Sequence, residues 1–239
     1  MVMAEGISSA ALVGCTGLVG SHILATLTSL SSHPTVHAIA RRDLPASSAN
    51  LHPIIDSDSS RWPSRLQSLS PTPSIFLSGL GTTRLQAGSF EAQRRIDYDL
   101  NLSLAKAAKE SGIRVYVLIS STGVSTKSLF SYSKMKAELD EAVQELGFPH
   151  TILVKPGLLL GTRMDSRPPE AFFRAIAKGL GAISKAWLTD WWAQDADVIG
   201  RAAVAAAMQC VEGKRKDGVW VVSQSDILRL GRTEWKGEK

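Results

Sequence analysis

Gly14, Gly17 and Gly20 stand between a short apolar run ending at Val13 and an apolar-periodic stretch that reaches Ser29. This spacing constrains the fold more than any other feature of the chain. A strand that passes directly into a helix needs a first glycine for the sharp turn. It needs a second where backbone must approach a bound group, and a third where the helix packs hard against the sheet. The helix-start amides then face outward, where they suit the pyrophosphate of a dinucleotide. A tight turn that binds nothing could use the same glycines. The rest of the chain must therefore supply what a dinucleotide site requires.

Strand and helix patterns alternate along the sequence. Residues 10–13 read as the first strand and 17–29 as the first helix, with Leu18, Ile23, Leu24 and Leu27 on its apolar side. Further strands are expected at 36–40, 52–55, 74–77, 115–119, 151–154 and 219–222. Helices are expected at 63–69, 90–112, 131–146, 169–178 and 197–209. Gly112 and Gly147 close two of them, and Asp197 is the expected N-cap of the last. Residues 158–160 could resume a strand or begin a buried loop. The alternation predicts an α/β fold, a mostly parallel sheet covered on both faces. In such folds ligands bind beyond the carboxyl ends of the strands. Gly17, Arg41, Asp56, Gly81, Ser121 and Pro156 all fall there.

The 239 residues suffice for one large domain of this kind, or a domain with a small appendage, and 44% apolar content provides its core. A formal charge of +5 attracts nucleotides or acidic surfaces only mildly. No nucleic-acid module is present, so nucleic-acid binding is not expected. Cys15 and Cys210 form neither a disulfide framework nor a metal spacing, and the five histidines are scattered. No metal site is expected. No apolar run is long enough to span a bilayer. The first strand is reached by about Ser9, so no leader peptide is expected.

Arg41 and Arg42 follow the second strand, about twenty residues past the glycine turn. An acidic residue there would bond a ribose 2′-hydroxyl. Arginine instead suits the added 2′-phosphate of NADP through a charge-assisted fork. An exposed basic pair at a strand end is the plain alternative. Asp56, after the third strand, is a candidate acceptor for the adenine amino group or a solvated loop aspartate. Leu80 and Gly81 lie in a Gly-Leu-Gly-Thr turn that can bring backbone near a ribose.

Tyr132 and Lys136 are four residues apart, on one face of a helix. A phenol is a poor acid or base at neutral pH, and a nearby ammonium favours its anion. Lys136 could also bond the nicotinamide ribose. Ser121, after the fifth strand, is placed to hydrogen-bond a carbonyl oxygen, with Thr122 as an adjacent alternative. Hydride would then come from the reduced nicotinamide and the proton from Tyr132. A tyrosine at the margin of a solvated helix would give the same spacing.

Several longer motifs carry a family resemblance. They are GCTGLVG at 14–20, RR at 41–42, GLGTTRLQAGS at 79–89, LISSTG at 118–123, YSKMK at 132–136, KPGLLLGTR at 155–163 and DSRP at 165–168. The chain resembles the atypical short-chain dehydrogenases/reductases. More narrowly, it resembles the Tat-interacting oxidoreductase-like proteins and their fungal mitochondrial outer-membrane relatives. The resemblance covers about residues 9–210. It implies a Rossmann-like three-layer sandwich across residues 1–239, with 163–200 as a short substrate-side cap.

By the same resemblance, Gly14, Thr16, Gly17, Leu18, Val19 and Gly20 line the NADP(H) pyrophosphate. Arg41 and Arg42 reach the 2′-phosphate side, and Leu80 and Gly81 the ribose. Ser121, Tyr132 and Lys136 match the reductase triad. Lys155 stands where these proteins commonly carry arginine, and it lacks the planar fork of a bidentate contact.

Trp187, Trp191 and Trp192 in the cap could line a substrate pocket, form a partner surface, rest at a membrane interface or simply pack on the sheet. The leading expectation is an NADP(H)-dependent oxidoreductase acting on an unassigned carbonyl or alcohol. The alternative is an NADPH-binding regulatory or scaffold protein with little catalysis, in contact with a protein partner. The resemblance implies peripheral association with the cytosolic face of the mitochondrial outer membrane, with the cytoplasm as the alternative location.

Overall fold

The computed structural model describes residues 6–45, 47–160 and 193–236. The strands in chain order are β1 (Ser9–Val13), β2 (Thr35–Ala40), β3 (Leu51–Ile55), β4 (Ile75–Ser78), β5 (Val115–Ile119), β6 (His150–Val154), β7 (Leu158–Leu160), β8 (Ala193–Asp195) and β9 (Gly218–Val222). Seven of them form one sheet in the order β3-β2-β1-β4-β5-β6-β9, and every pair is parallel. β1 lies between β2 and β4, so successive connections leave it in opposite directions. That reversal opens a crevice at the carboxyl ends of β1 and β4, the place where such sheets bind ligands.

The helices are α1 (Leu18–Ser29), α2 (Trp62–Gln67), α3 (Arg84–Ala87), α4 (Phe90–Arg94), α5 (Asn101–Glu110), α6 (Ser131–Glu145), α7 (Ala196–Val211) and α8 (Gln224–Leu228). They cover both faces because the central strands are apolar on both. Along β1, Ala10 and Leu12 enter one core with Ile23, Leu27 and the alanines of α7, while Ala11 and Val13 enter the other with Trp62, Leu104, Leu139 and Phe148. Full burial of a side chain such as Leu12 is worth about 2 kcal/mol. Ala202, Ala203, Ala206 and Ala207 are wholly buried on α7. Their small side chains allow close packing with α1 in the same layer.

Both cysteines serve as packing. Cys15 lies under the β1–α1 turn with its thiol directed to the carbonyl of Ile39, and Cys210 is buried on α7. Burial pushes each thiol up to about 11.

The expected strands and helices within the described residues are present, with boundary shifts of one or two residues. Four details refine these readings. Asp197 is not the N-cap of α7: β8 runs directly into the helix, so Asp195 takes the N-cap position. Asp197 lies in the first turn and pairs with Arg201, while Asp195 holds Arg232 at 2.8 Å. Residues 193–200, expected in the cap, are β8 and the start of α7. The helical stretch from Phe90 to Glu110 contains a π-turn at Arg95–Leu100, where the buried Asn101 amide bonds the carbonyls of Ile96 and Asp97. Leu158–Leu160 forms β7, which pairs in parallel with β8 outside the main sheet. The helix expected at 169–178, the motif at 165–168, Arg163, Trp187, Trp191 and Trp192 lie outside the described residues.

Candidate active site

The β1–α1 turn is built by close backbone contact. Gly14 has φ +77°, and a Cβ there would stand 2.4 Å from the carbonyl carbon of Gly79. A Cβ at Gly20 would stand 2.1 Å from the Gly14 oxygen. Neither position has room for a side chain. Gly17 is different, since its Cβ would come no closer than 3.1 Å to the Gly14 oxygen. Its amide donates to that same oxygen at 2.8 Å, closing the turn.

α1 begins without a side-chain cap and without an acidic residue in its first turn. Its first amides and the positive end of its dipole thus carry no side-chain cap or first-turn acid among the described residues, which fits a pyrophosphate. Thr16 is exposed and Leu18 half-buried at this mouth. Val19 is buried in the core, so only its backbone can face a ligand.

Arg41 and Arg42 follow β2 and are exposed. Asp56 follows β3 and its carboxylate is engaged within the chain. Oδ1 accepts from Arg61 at 2.6 Å and from the Asp58 amide at 3.1 Å, while Oδ2 accepts from Arg65 at 3.1 Å. Burial alone would raise the Asp56 carboxyl, but these bonds outweigh it and hold the group below its ordinary value. Asp56 therefore anchors the start of α2 at the edge where adenine was expected.

Beyond β4, the Gly79 amide donates to Val13 at 3.0 Å and ties this turn to β1. Leu80 is half-buried and Gly81 exposed. Two residues beneath the turn had no sequence motif to announce them. Asn101, fully buried, accepts from Ser78 Oγ at 2.5 Å and donates to the Leu80 carbonyl at 3.3 Å. Asp97 accepts from the Thr82 amide at 2.7 Å and from Gln93 at 3.3 Å. Burial outweighs those bonds and raises the Asp97 carboxyl above its ordinary value. A polar residue at 97 or 101 inside an otherwise alternating helix was the only available signal.

Ser121 follows β5, Lys136 reaches the last residue of that strand from α6, and Tyr132 stands one turn before Lys136 on the same helix. Ser121 Oγ turns to the carbonyl of Thr122 at 3.4 Å rather than to Tyr132. Thr122 is exposed, and its amide is held by Pro156 at 2.9 Å. The neighbouring Ser120 hydroxyl is buried and makes no hydrogen bond among the described residues. Tyr132 is 47% exposed, and Phe130, two residues earlier, is 79% exposed.

Lys136 is buried, with Nζ donating to the Ile119 carbonyl at 3.1 Å. Desolvation lowers its ammonium, and Asp140 and Asp97 oppose that change. Tyr132 departs from the sequence expectation. Desolvation, reinforced by Asp97, raises the phenol, and Lys136 does not draw it toward the anion. This arrangement keeps Tyr132 protonated and makes it a weaker acid than a free phenol.

Lys155 does not make an arginine-like fork. Its Nζ stands 2.8 Å from Asp140 Oδ2, and neither Asp140 oxygen is aligned in a hydrogen bond. Sequence reasoning flagged Lys155 but not its partner, which lies on a different element.

The sequence matches the model of the NAD dependent epimerase/dehydratase family over residues 10–179. It is 47% identical over 232 residues to a protein named fmp52, mitochondrial, from Emericella nidulans, covering 94% of this chain and 99% of that one. It is 45% identical to the fmp-52 mitochondrial protein of Neurospora crassa, covering 96% of this chain and 97% of that one. Among solved structures, MoeE5 in complex with UDP-glucose and NAD aligns with TM-score 0.61 at 18% identity, covering 95% of this chain and 81% of that chain. A short chain dehydrogenase family protein from Francisella tularensis aligns with TM-score 0.64 at 13% identity, covering 92% and 98% of the two chains. These two likenesses show a shared fold.

Proposed function

This chain belongs to the NAD dependent epimerase/dehydratase family, and from that premise we propose that it is an NADP(H)-dependent oxidoreductase of a carbonyl or alcohol. The observation that carries the reading is the reach of Lys136 to Ile119 at the carboxyl end of β5, with Tyr132 one turn away on α6 and Ser121 just past the strand, while α1 starts uncapped at the carboxyl end of β1 in the same parallel sheet. Gly14, Gly17 and Gly20 with the first turn of α1 would hold the pyrophosphate. Leu80 and Gly81 would meet the ribose. Arg41 and Arg42 favour NADP(H) over NAD(H), because both stand exposed where a 2′-phosphate would emerge.

A nicotinamide bound there would supply hydride to a carbonyl carbon, or accept it from an alcohol. In the reducing direction, Tyr132 donates its phenolic proton to the oxygen, which becomes the hydroxyl. Ser121 rotates from the Thr122 carbonyl to hydrogen-bond that oxygen, and Lys136 holds the nicotinamide ribose. Burial keeps the Tyr132 phenol protonated but also makes it a weaker acid than a free phenol.

NADPH binding followed by fluorescence, with turnover of an aldehyde and ketone panel, tests the proposal. Tyr132→Phe is expected to keep binding and lose about 100-fold or more in turnover. Unchanged turnover would overturn the proton-donor role.

The position of Lys136 also favours a second reading, that of an NADPH-binding regulatory or scaffold protein. Its ammonium is committed to the Ile119 carbonyl and does not activate the phenol. Tight NADPH binding with no turnover across the panel, in both wild type and Tyr132→Phe, would select it.

The mitochondrial naming of the fungal relatives supports a place at the mitochondrion. We assign the cytosolic face of the outer membrane, held peripherally. No helix among the described residues is long and apolar enough to cross a membrane. Recovery in the mitochondrial fraction, with release by alkaline carbonate, is the expected outcome of fractionation. Residues 1–239 are taken as a single nucleotide-binding unit.

A further inference from the structure

Lys136 and Asp140 are one helical turn apart on the buried side of α6, a spacing at which an ammonium and a carboxylate attract. They are nonetheless not joined. Lys136 Nζ donates to the Ile119 carbonyl, and Asp140 stands 2.8 Å from Lys155 Nζ. The Asp140 side chain is 4% exposed and makes no hydrogen bond among the described residues, where Lys155 is its ion-pair partner. A buried carboxylate without a partner is costly and will recruit the nearest cation.

Lys155 is well placed to prevent that recruitment. It follows β6 with its amide fixed to the Val222 carbonyl at 2.9 Å, and the Pro156 carbonyl is fixed by Thr122. Its side chain reaches Asp140 past a polar cavity of about 280 Å³ that Glu141 and Gln144 also line. The ammonium is therefore hydrated on one side while it meets the dry carboxylate on the other.

We propose that Lys155 is a positioning residue for Lys136: by occupying Asp140 it keeps that carboxylate from drawing the Lys136 ammonium back along α6, and leaves the ammonium at Ile119 on the cofactor edge. The consequence for the cofactor rests on the reading of Lys136 as a nucleotide-binding residue. The charged and titratable groups around Lys136 are Asp140 and Tyr132 on its own helix, Asp97 from the π-turn and Lys155 after β6. Tyr116 on β5 is within electrostatic reach of Asp140.

The test uses the full chain in four forms: wild type, Lys155→Met, Lys155→Arg, and Lys155→Met combined with Asp140→Asn. Thermal melting establishes that each is folded. Lysine side-chain NMR, with Lys136 assigned through Lys136→Met, follows the Lys136 titration, and fluorescence follows NADPH binding. In Lys155→Met the freed carboxylate should pull on Lys136, raising its titration midpoint and weakening NADPH by about ten-fold. Lys155→Arg should stay within about three-fold of wild type, because it restores the pair. The double variant should return toward wild type in both readouts, because nothing remains to compete for Lys136.

A double variant no better than Lys155→Met, or a Lys136 midpoint unmoved by Lys155→Met, would overturn the inference. If Lys155→Met does not fold, the Lys136 midpoint in Lys155→Arg and in the double variant decides: the first should match wild type and the second, without the Asp140 charge, should not rise above it; a shift in the first or a rise in the second overturns the role. The titration needs no nucleotide. Failure of wild type to bind NADPH, or binding indifferent to Lys136→Met, would remove the cofactor reading while the titration still decides the role of Lys155.

Discussion

The two ends of the crevice are built from different materials. At the β1–α1–β4 end the shape is made by backbone, with Gly14 and Gly20 admitting no Cβ and the start of α1 supplying amides. At the β5–α6 end the shape is made by side-chain charges, with Lys136, Asp140, Asp97 and Lys155 arriving from separate segments. The first end should fail by steric conflict, with the fold itself at risk. The second should fail by a change of charge state, with the fold intact.

The largest effect should come from forcing a side chain into the backbone end. Gly20→Ala places its Cβ 2.1 Å from the Gly14 oxygen, and it is expected to cost about 3 kcal/mol, visible as a lowered melting temperature and lost NADPH binding. Gly17→Ala, with its 3.1 Å approach to the same oxygen, should melt close to wild type yet bind NADPH about ten-fold more weakly. Equal melting losses in both would break the distinction between a glycine needed for packing and one needed for a ligand.

Next in size is the proposed 2′-phosphate contact. Replacing Arg41 and Arg42 together by alanine should reduce the preference for NADPH over NADH by about 10- to 100-fold while leaving NADH binding unchanged. Parallel titrations with the two nucleotides check this. An equal loss for both would mean that the pair attracts any anion and selects none.

Asp97→Asn tests the charge-built end. Asp97 adds to the burial that holds the Tyr132 phenol high, so removing its charge should move the tyrosine titration to lower pH. Ultraviolet absorbance of tyrosinate reads the change, and Tyr132→Phe assigns it among the chain's three tyrosines. The melting temperature should hardly change, because asparagine can still accept from the Thr82 amide.

The smallest effect concerns Asp56. Its carboxyl lies below the ordinary value when folded, so its stabilising contribution is present above the unfolded pKa, about 4. It fades as pH falls through the lower folded value. Asp56→Asn should remove that part of the acid sensitivity, so that wild type and variant melt more nearly alike as the solution is acidified below about pH 4. A gap that widens toward acid would contradict the assigned sign.

The same contrast explains what could be read from the chain. β1, β2, β4, β5 and β6 were legible because short apolar runs are bounded by glycine, proline or polar turns. The glycine turn was legible because missing side chains leave a spacing. β7 stood as one of two readings of 158–160 and β8 was not read at all, since two three-residue strands pair across a long stretch of chain. Asp197 was misplaced because Asp195, at the end of β8, occupies the cap position. Tyr132 and Lys136 were found by their spacing, but their charge states were not, because burial, Asp97 and Asp140 act through the fold. Lys155 was visible as a departure from arginine. Its partner became visible only once β6 lay against α6.

The burial of Cys15 and Cys210 bears on how the molecule meets oxidants. The chain has two cysteines, and burial pushes both up to about 11, so almost no thiolate exists at neutral pH. Thiolate is the species that peroxides and alkylating reagents attack. The folded protein should thus resist sulfenylation and maleimide capture. A cysteine introduced on its surface would be the fast-reacting thiol, ready to carry a spectroscopic label without prior removal of the natural pair.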